Sequence, residues 1–132
     1  MTDETVNERI EDCVKICGMN ACRDLKALID SGADRTIISK RVADDVRVQY
    51  TGNEVHMEDA SGNEIVADEA IVHISIPGTT CEKERTKVAV ARNSLPGEEI
   101  IIGNDFMKET RMQIGYQGGP NITCPKNLRK EG

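Results

Sequence analysis

The clearest chemical signal in this chain lies in residues 27–38, which read Ala-Leu-Ile-Asp-Ser-Gly-Ala-Asp-Arg-Thr-Ile-Ile. A short apolar run ends at Asp30, and Ser31 and Gly32 follow it. This order predicts a carboxylate on a tight loop at the end of a β-strand, with a hydroxyl beside it and a glycine where two backbones can come close. A carboxyl group presented in this way can serve as a general acid or a general base.

The wider segment resembles the signature of the retropepsins, the retroviral-type aspartic proteases. That signature is an apolar pair, then Asp-Ser/Thr-Gly-Ala, then Asp, any residue and Thr, and residues 28–36 match it at every defining position. Residues 99–107, Glu-Ile-Ile-Ile-Gly-Asn-Asp-Phe-Met, are similar to a second family feature, an apolar-apolar-Gly segment followed by a short helix. Two motifs at family spacing are a far more specific signal than either alone.

The resemblance implies an all-β fold: a retropepsin-like closed β-barrel or sandwich with one short C-terminal helix, working as a homodimer. We assign residues 11–116 to this domain, residues 1–10 to a polar N-terminal arm, and residues 117–132 to a tail that is a dimer strand or disordered. At 132 residues the chain is too short for two lobes and has one Asp-Ser-Gly loop. An active enzyme of this kind must therefore dimerise.

By resemblance, the chain is an aspartic endopeptidase in which two Asp30 residues, one from each subunit, share a proton and activate water. Ser31 would form a hydrogen bond across the dimer, Gly32 would permit close packing, and Ala33 would leave the carboxylate without the extra hydroxyl of pepsin-like loops. We therefore expect activity at mildly acidic pH, roughly 5 to 6, without a cofactor or a metal. The alternative is a catalytically inactive retropepsin-like module for dimerisation or peptide binding.

The substrate implied by the resemblance is an extended peptide bound as an added strand under a mobile hairpin, the flap. We place the flap tip at residues 60–62, although residues 51–53, Thr-Gly-Asn, offer a competing turn. The residues expected to contact the peptide are Asp34, Ile37, Ala60, Ser61, Gly62, Ile65 and Ile102.

Structural support for the loop is expected from Thr36, Gly103 and Asn104. In the family, an Arg after the apolar-apolar-Gly segment pairs with the Asp at the position of Asp34 and braces the dimer, but Asn104 occupies that place here. Arg35 or Arg111 could substitute for it. A weak, concentration-dependent dimer is the expected consequence.

Composition excludes other classes of protein. The chain has 23 acidic and 17 basic residues, a net charge of -6, no Trp, one Phe and two Tyr, so it lacks a basic surface and a stacking platform for nucleic acid. The first residues do not resemble a signal peptide, and no apolar run is long enough to span a membrane. We expect a cytoplasmic protein without membrane or nucleic-acid partners.

The five cysteines form an odd set without Cys-x-x-Cys spacing, so we expect free, buried or half-buried thiols rather than a disulfide framework. Cys13 and Cys17 would share one strand face, with Cys22 across a turn from them. A metal site built from these three thiolates is therefore an alternative function.

The elements that must position these residues follow from periodicity. Residues 11–17 and 24–30 predict a hairpin that leads into the Asp30 loop, and Ser39 is expected to cap a short helix. A second short helix is predicted at residues 105–110. The remaining strands are predicted at residues 36–38, 46–50, 54–57, 64–67, 70–76, 87–91, 99–102 and 111–116.

Overall fold

A computed structural model of the chain describes residues 10–58, 61–93, 95, 98–115 and 121–125. Its elements, in chain order, are β1 (Glu11–Cys17), β2 (Cys22–Ile29), β3 (Ile37–Ile38), α1 (Lys40–Val46), β4 (Gln49–Glu58), β5 (Glu64–Ser75), β6 (Glu82–Ala91), β7 (Ile100–Ile102), α2 (Asn104–Thr110), β8 (Gln113–Gly115) and β9 (Asn121–Thr123). The predictions for the N-terminal arm, for Ala60 and for much of the tail fall on residues outside the described set.

Six strands close into a barrel. They lie in the order β1-β2-β7-β3-β6-β5, and β5 pairs with β1 to complete the ring. Strand β4 pairs with residues 64–71 of β5 and is not part of the ring. The all-β, closed-barrel prediction is confirmed, with two short helices packed beside the sheet.

The barrel interior is aliphatic because alternate strand residues point inward. The largest fully buried side chains include isoleucines from β1, β3, β5 and β7, together with Phe106 of α2. Phe106 is the one phenylalanine in the sequence, and it anchors α2 to this core. Burying a side chain of this size stabilises the fold by about 2 kcal/mol, so α2 is firmly attached to the barrel.

Helix α1 begins as the sequence predicts. The Ser39 hydroxyl accepts a hydrogen bond from the backbone N–H of Val42 at 3.1 Å, which satisfies one of the free donors at the helix start. The buried face of α1 consists of Val42, Ala43 and Val46. The turn between β1 and β2 packs against the end of this helix, where a Cβ on Gly18 would collide with the carbonyl oxygen of Val46.

The hairpin of β4 and β5, which corresponds to the predicted flap and is called the flap below, is more regular than the sequence indicates. Strands β4 and β5 are continuous, with 10 and 12 residues respectively, where interrupted shorter strands were predicted. The predicted competing turn at residues 51–53 is a bulge inside β4: the register shifts between Tyr50 and Glu54, and Gly52 has φ 93°. The hairpin tip therefore lies between Glu58 and Glu64, the last paired residues.

The prediction of free thiols is wrong for four of the five cysteines. Cys17 pairs with Cys22 across the β1–β2 hairpin, with 4.0 Å between their Cα atoms, and Cys81 pairs with Cys124 over a sequence separation of 43. Cys13 is free and exposed. The three-thiolate metal site is also wrong, because two of its three sulfurs are in a disulfide.

The Cys81–Cys124 disulfide ties β9 to the barrel. Strand β9 pairs with β8, and Thr80 donates from Oγ1 to the carbonyl oxygen of Cys124 at 2.7 Å. In the chain-entropy model a disulfide that closes a loop of this length stabilises the fold by about 4 kcal/mol.

Within the described segments, no helix has the length and apolar character needed to cross a membrane.

Candidate active site

The Asp30 loop begins where β2 ends and is held by hydrogen bonds of its backbone to β7 and within the loop. The N–H of Asp30 donates to the carbonyl oxygen of Ile102 at 2.9 Å, and the N–H of Ala33 donates to the carbonyl oxygen of Asp30 at 3.0 Å. The N–H of Gly32 donates to Oδ1 of Asp30 at 2.9 Å. One carboxylate oxygen is thus oriented by the loop, and the half-buried carboxylate lies between exposed Ser31 and buried Ile29.

Gly103 lies directly behind this loop. A Cβ at this position would be 2.5 Å from the carbonyl oxygen of Arg35 and 2.9 Å from that of Ala33, so only glycine lets the two backbones approach. The next residue, Asn104, donates its N–H to the carbonyl oxygen of Ala33 at 2.7 Å. The start of α2 therefore holds the back of the Asp30 loop through main-chain contacts.

Asp105 is the supporting residue that the sequence analysis missed. Its Oδ1 accepts a hydrogen bond from Thr36 Oγ1 at 2.8 Å, and its Oδ2 accepts one from the Thr36 N–H at 3.1 Å. The Thr36 hydroxyl in turn accepts from the N–H of Gly103 at 3.0 Å. A carboxylate in the first turn of the predicted α2 was the available signal, but its partner is 69 positions away.

The ion pair that the family has at the position of Asp34 is absent from the described part of the chain. Arg35 lies instead between two other carboxylates, with Nη2 at 3.6 Å from Oε2 of Glu69 and Nε at 4.0 Å from Oδ2 of Asp105. Arg111 adopts the left-handed conformation that ends α2. Neither Arg35 nor Arg111, either of which could have substituted, forms an ion pair with Asp34 among the described residues, and Asp34 is exposed.

An apolar wall continues from the loop across the sheet. Ile37 is paired with Ile101 on one side and with Ala89 on the other, and Ile101 is also paired with Leu28. Leu28, Ile37 and Ile101 are half-buried, and paired residues share one face of a sheet. This row forms a half-buried aliphatic wall, called the apolar wall below.

Ile102 does not belong to this wall. It is completely buried in the main core, as is Ile100, so the predicted contact of Ile102 with a peptide is wrong for this conformation. Ile101 lies between them and points to the other face because side chains alternate along a strand. Three consecutive isoleucines concealed this alternation in the sequence.

The inner face of the flap is also apolar. Val55 and Ala67 are paired across β4 and β5, and together with Ala89 they form a buried cluster against which Ile37 and Met57 pack. Ile65, paired with Met57, is exposed towards the tip.

Two of the three residues predicted at the flap tip are described. Ser61 and Gly62 lie in the turn between β4 and β5, and Gly62 has φ 85°, a conformation that favours glycine. A Cβ at Gly62 would meet nothing within 4 Å. The space around Gly62 is thus open, in contrast to the crowded space behind the Asp30 loop.

Charged side chains cover the outer face of the flap. Arg92 lies 2.7 Å from Asp68 and 3.0 Å from Glu54, and its hydrogen bonds lower the pKa of both carboxyls and raise the pKa of the guanidinium. His56 Nδ1 lies 2.6 Å from Oε2 of Glu64, and this hydrogen bond is the main cause that raises the pKa of His56.

One group among the described residues has the ligand types and spacing for a metal ion. The ligand atoms of His73, Glu82 and Glu84 lie within 4.8 Å of one another, on β5 and β6. His73 is paired with Cys17, at the end of β1 opposite to the Asp30 loop. The group is therefore remote from the candidate active site, and its glutamates are exposed.

The closed six-stranded barrel, the Asp-Ser-Gly loop and the glycine behind it define a retropepsin-like aspartic protease fold. The family model described as gag-polyprotein putative aspartyl protease matches residues 17–109. This match covers most of the chain, so the protein belongs to that family.

The chain shares its fold with a solved structure. The EIAV protease in complex with the inhibitor HBY-793 superposes with a TM-score of 0.56 at 20% sequence identity, over 79% of this chain and 89% of that chain. The retroviral protease-like domain of Ddi1 from Leishmania major has a TM-score of 0.49 at 20% identity, over 80% of this chain and 78% of that one. No curated protein matches the sequence.

Proposed function

We propose that this protein is an aspartic endopeptidase that hydrolyses peptide bonds as a homodimer. The observation that carries the proposal is the Asp30 loop, in which a half-buried carboxylate is oriented by the N–H of Gly32 and held from behind by Gly103. A surface turn would not need a glycine crossing under it or a side-chain network behind it. Membership of the aspartyl protease family supports the same conclusion.

The proposed mechanism needs two copies of the Asp30 carboxyl group. One Asp30 from each subunit would face the other across a two-fold axis, and the pair would hold one shared proton. The ionised carboxylate takes a proton from water, the water oxygen attacks the peptide carbonyl carbon, and the protonated carboxyl polarises the carbonyl oxygen. The proton then passes to the departing amine as the C–N bond breaks. The exposure of Ser31 and Gly32 is compatible with a second copy at this loop.

The proposed substrate is an extended peptide bound between the apolar wall and the flap. Leu28, Ile37 and Ile101 would contact peptide side chains from one side, and Met57 of the flap from the other. Because these surfaces are aliphatic, apolar residues beside the cleaved bond are expected.

The cytoplasmic location stays a prediction, and the two disulfides weigh against it because such bonds persist mainly in oxidising compartments.

A second candidate is a peptide-binding or dimerisation module without catalysis. The observation that favours the absence of catalysis is Asn104, because it cannot form the family ion pair with Asp34 that braces the catalytic dimer. Such a module would bind the same apolar peptides, and its binding would not depend on the charge of Asp30.

The deciding experiment is cleavage of a diverse peptide library by the purified chain at high concentration and roughly pH 5 to 6, beside Asp30→Asn. We expect the wild type to cleave next to apolar residues and the variant to lose activity by about a thousandfold or more, because the amide cannot act as a base. Circular dichroism would show that the variant is folded. Cleavage that survives in Asp30→Asn would contradict the proposal, and peptide binding without cleavage by either protein would support the module.

A further inference from the structure

Glu69 is a buried charge that the proposed mechanism does not use. It lies in β5 and is 8% exposed, and it is the one acidic or basic residue among the described residues that belongs to the buried set. Burial of a carboxylate is unfavourable unless hydrogen bonds and a counter-charge compensate for it. The partners of Glu69 therefore show what the charge holds together.

One oxygen of Glu69 holds the bulge at the base of the flap. Its Oε1 accepts hydrogen bonds from Thr51 Oγ1 at 2.8 Å and from Asn53 Nδ2 at 3.1 Å. These two residues flank Gly52, where β4 shifts its register against β5. The hydrogen bonds from Asn53 and Thr51 lower the pKa of Glu69, so the carboxylate stays ionised at mildly acidic pH.

The other oxygen of Glu69 faces the catalytic loop. Its Oε2 lies 3.6 Å from Nη2 of Arg35, whose Nε lies 4.0 Å from Oδ2 of Asp105. Asp105 in turn holds Thr36 through two hydrogen bonds. A continuous series of polar contacts thus runs from the base of the flap to the support of the Asp30 loop.

Arg35 is the adjustable member of this series. Its Nε is buried and has no hydrogen-bond partner, and its guanidinium lies at ion-pair distance from both carboxylates. A small displacement in either direction would convert one of these ion pairs into a direct hydrogen bond. We call the contact between Glu69 and Arg35 the bridge. The register places Glu69 opposite Ala89, and Ala89 opposite Ile37, so the bridge lies at the edge of the apolar wall.

We propose that Glu69 and Arg35 are positioning residues that couple the base of the flap to the catalytic loop. The bridge keeps the flap in register with the wall, so that peptide binding and loop geometry depend on each other. This inference rests on the proposed function, because it assigns a role to the flap in binding peptide. Loss of the bridge is expected to weaken substrate binding more than the chemical step.

The test compares Glu69→Gln with a matched control, Glu109→Gln. In the first variant, the amide oxygen of the new side chain can still accept from Thr51, but the charge that faces Arg35 is removed. Glu109 forms an ion pair of similar length, 3.4 Å to Lys83, but it is exposed and lies on α2, away from the flap. Removing an exposed pair of this kind has little effect.

Two readouts separate a positioning role from a general loss of stability. In hydrogen exchange without substrate, we expect the amides of β4 to exchange roughly tenfold faster in Glu69→Gln, because a charge-assisted contact is lost. In kinetics, we expect KM to rise by a similar factor while kcat changes by about twofold or less. We expect the control to match the wild type in both. Unchanged exchange in Glu69→Gln, or an equal effect in the control, would overturn the proposal.

A double-variant cycle with Arg35→Gln tests the bridge itself. If Arg35 and Glu69 act together, the β4 amides of the double variant exchange more slowly than the product of the two single-variant effects predicts. Fully multiplicative effects would refute the coupling. If Glu69→Gln fails to fold, Thr51→Val, which removes one donor to the same carboxylate, replaces it in both readouts, and unchanged β4 exchange in that variant overturns the proposal.

The exchange readout does not depend on catalysis. If the chain cleaves no peptide, the proposed function fails while the β4 amides still report on the bridge. If cleavage occurs but KM and exchange are unaffected by Glu69→Gln, the bridge fails and the proposed function stands.

Discussion

The Asp30 loop and the flap are held by different kinds of contact. The loop is fastened by residues far away in the sequence: Thr36 bonds to Asp105, and Gly103 allows the two segments to cross. The flap is a hairpin whose strands pair with each other close to the tip, from Glu58 and Glu64 inwards. The support of the loop therefore depends on the barrel core, whereas the pairing of β4 with β5 near the tip depends on contacts within the hairpin.

The surroundings of the two regions differ in the same direction. The support of the loop is buried or half-buried, and Thr36, Asp105 and the Gly103 N–H each have a specific hydrogen-bond partner. The outer face of the flap has exposed ion pairs, which water screens. In the proposed protease, a catalytic carboxyl held by the barrel and a hairpin held by local strand pairs would suit a site that must admit and then enclose a peptide.

The largest expected effect comes from Gly103→Ala. The new Cβ would lie 2.5 Å from the carbonyl oxygen of Arg35, and neither backbone can move without disturbing the Asp30 loop or α2. We expect a loss of about 3 kcal/mol in the free energy of unfolding. Urea denaturation followed by circular dichroism measures it, and Gly115→Ala, at an uncrowded position without positive φ, is the control.

Gly62→Ala at the flap tip sharpens the contrast. There is open space around this glycine, but its φ of 85° disfavours a residue with a side chain. We expect a destabilisation of about 1 kcal/mol, from backbone strain alone. The same denaturation experiment tests it, and a loss as large as that of Gly103→Ala would show that the two regions are equally constrained.

The smallest expected effect concerns pH and His56. The hydrogen bond with Glu64 raises the pKa of His56 above its ordinary value of 6.5, so protonation favours the folded hairpin. This contribution is fully present below pH 6.5 and is lost as the pH rises through the higher pKa of the folded state. As the pH rises through this range, amide hydrogen exchange near the tip is therefore expected to accelerate more than the intrinsic pH dependence of exchange predicts.

The control for this prediction is His56→Asn, in which the additional pH dependence should disappear. An NMR titration of the His56 ring that gives a pKa at or below 6.5 would contradict the assignment. The Asp30 loop should show no such change over the same range, because none of its hydrogen bonds involves histidine.

Local features of the fold were readable from the sequence because short segments determine them. The period-two pattern of β1 and β2, the Ser39 cap and the short helix α2 each depend on residues close together in the chain. Even so, the bulge at Gly52 was interpreted as a competing turn, because glycine favours both structures.

The sequence by itself determined the family, the closed all-β fold and the position of the carboxylate, because the two motifs combine rare residue orders with a characteristic spacing. Only the tertiary structure decided that Ile101 rather than Ile102 lines the wall, since three identical residues conceal which face is buried. It also decided the Cys81–Cys124 disulfide and the contacts of Glu69 with the flap base and Arg35. These contacts join residues that are distant in the sequence, and no local pattern encodes which of them the closed barrel brings together.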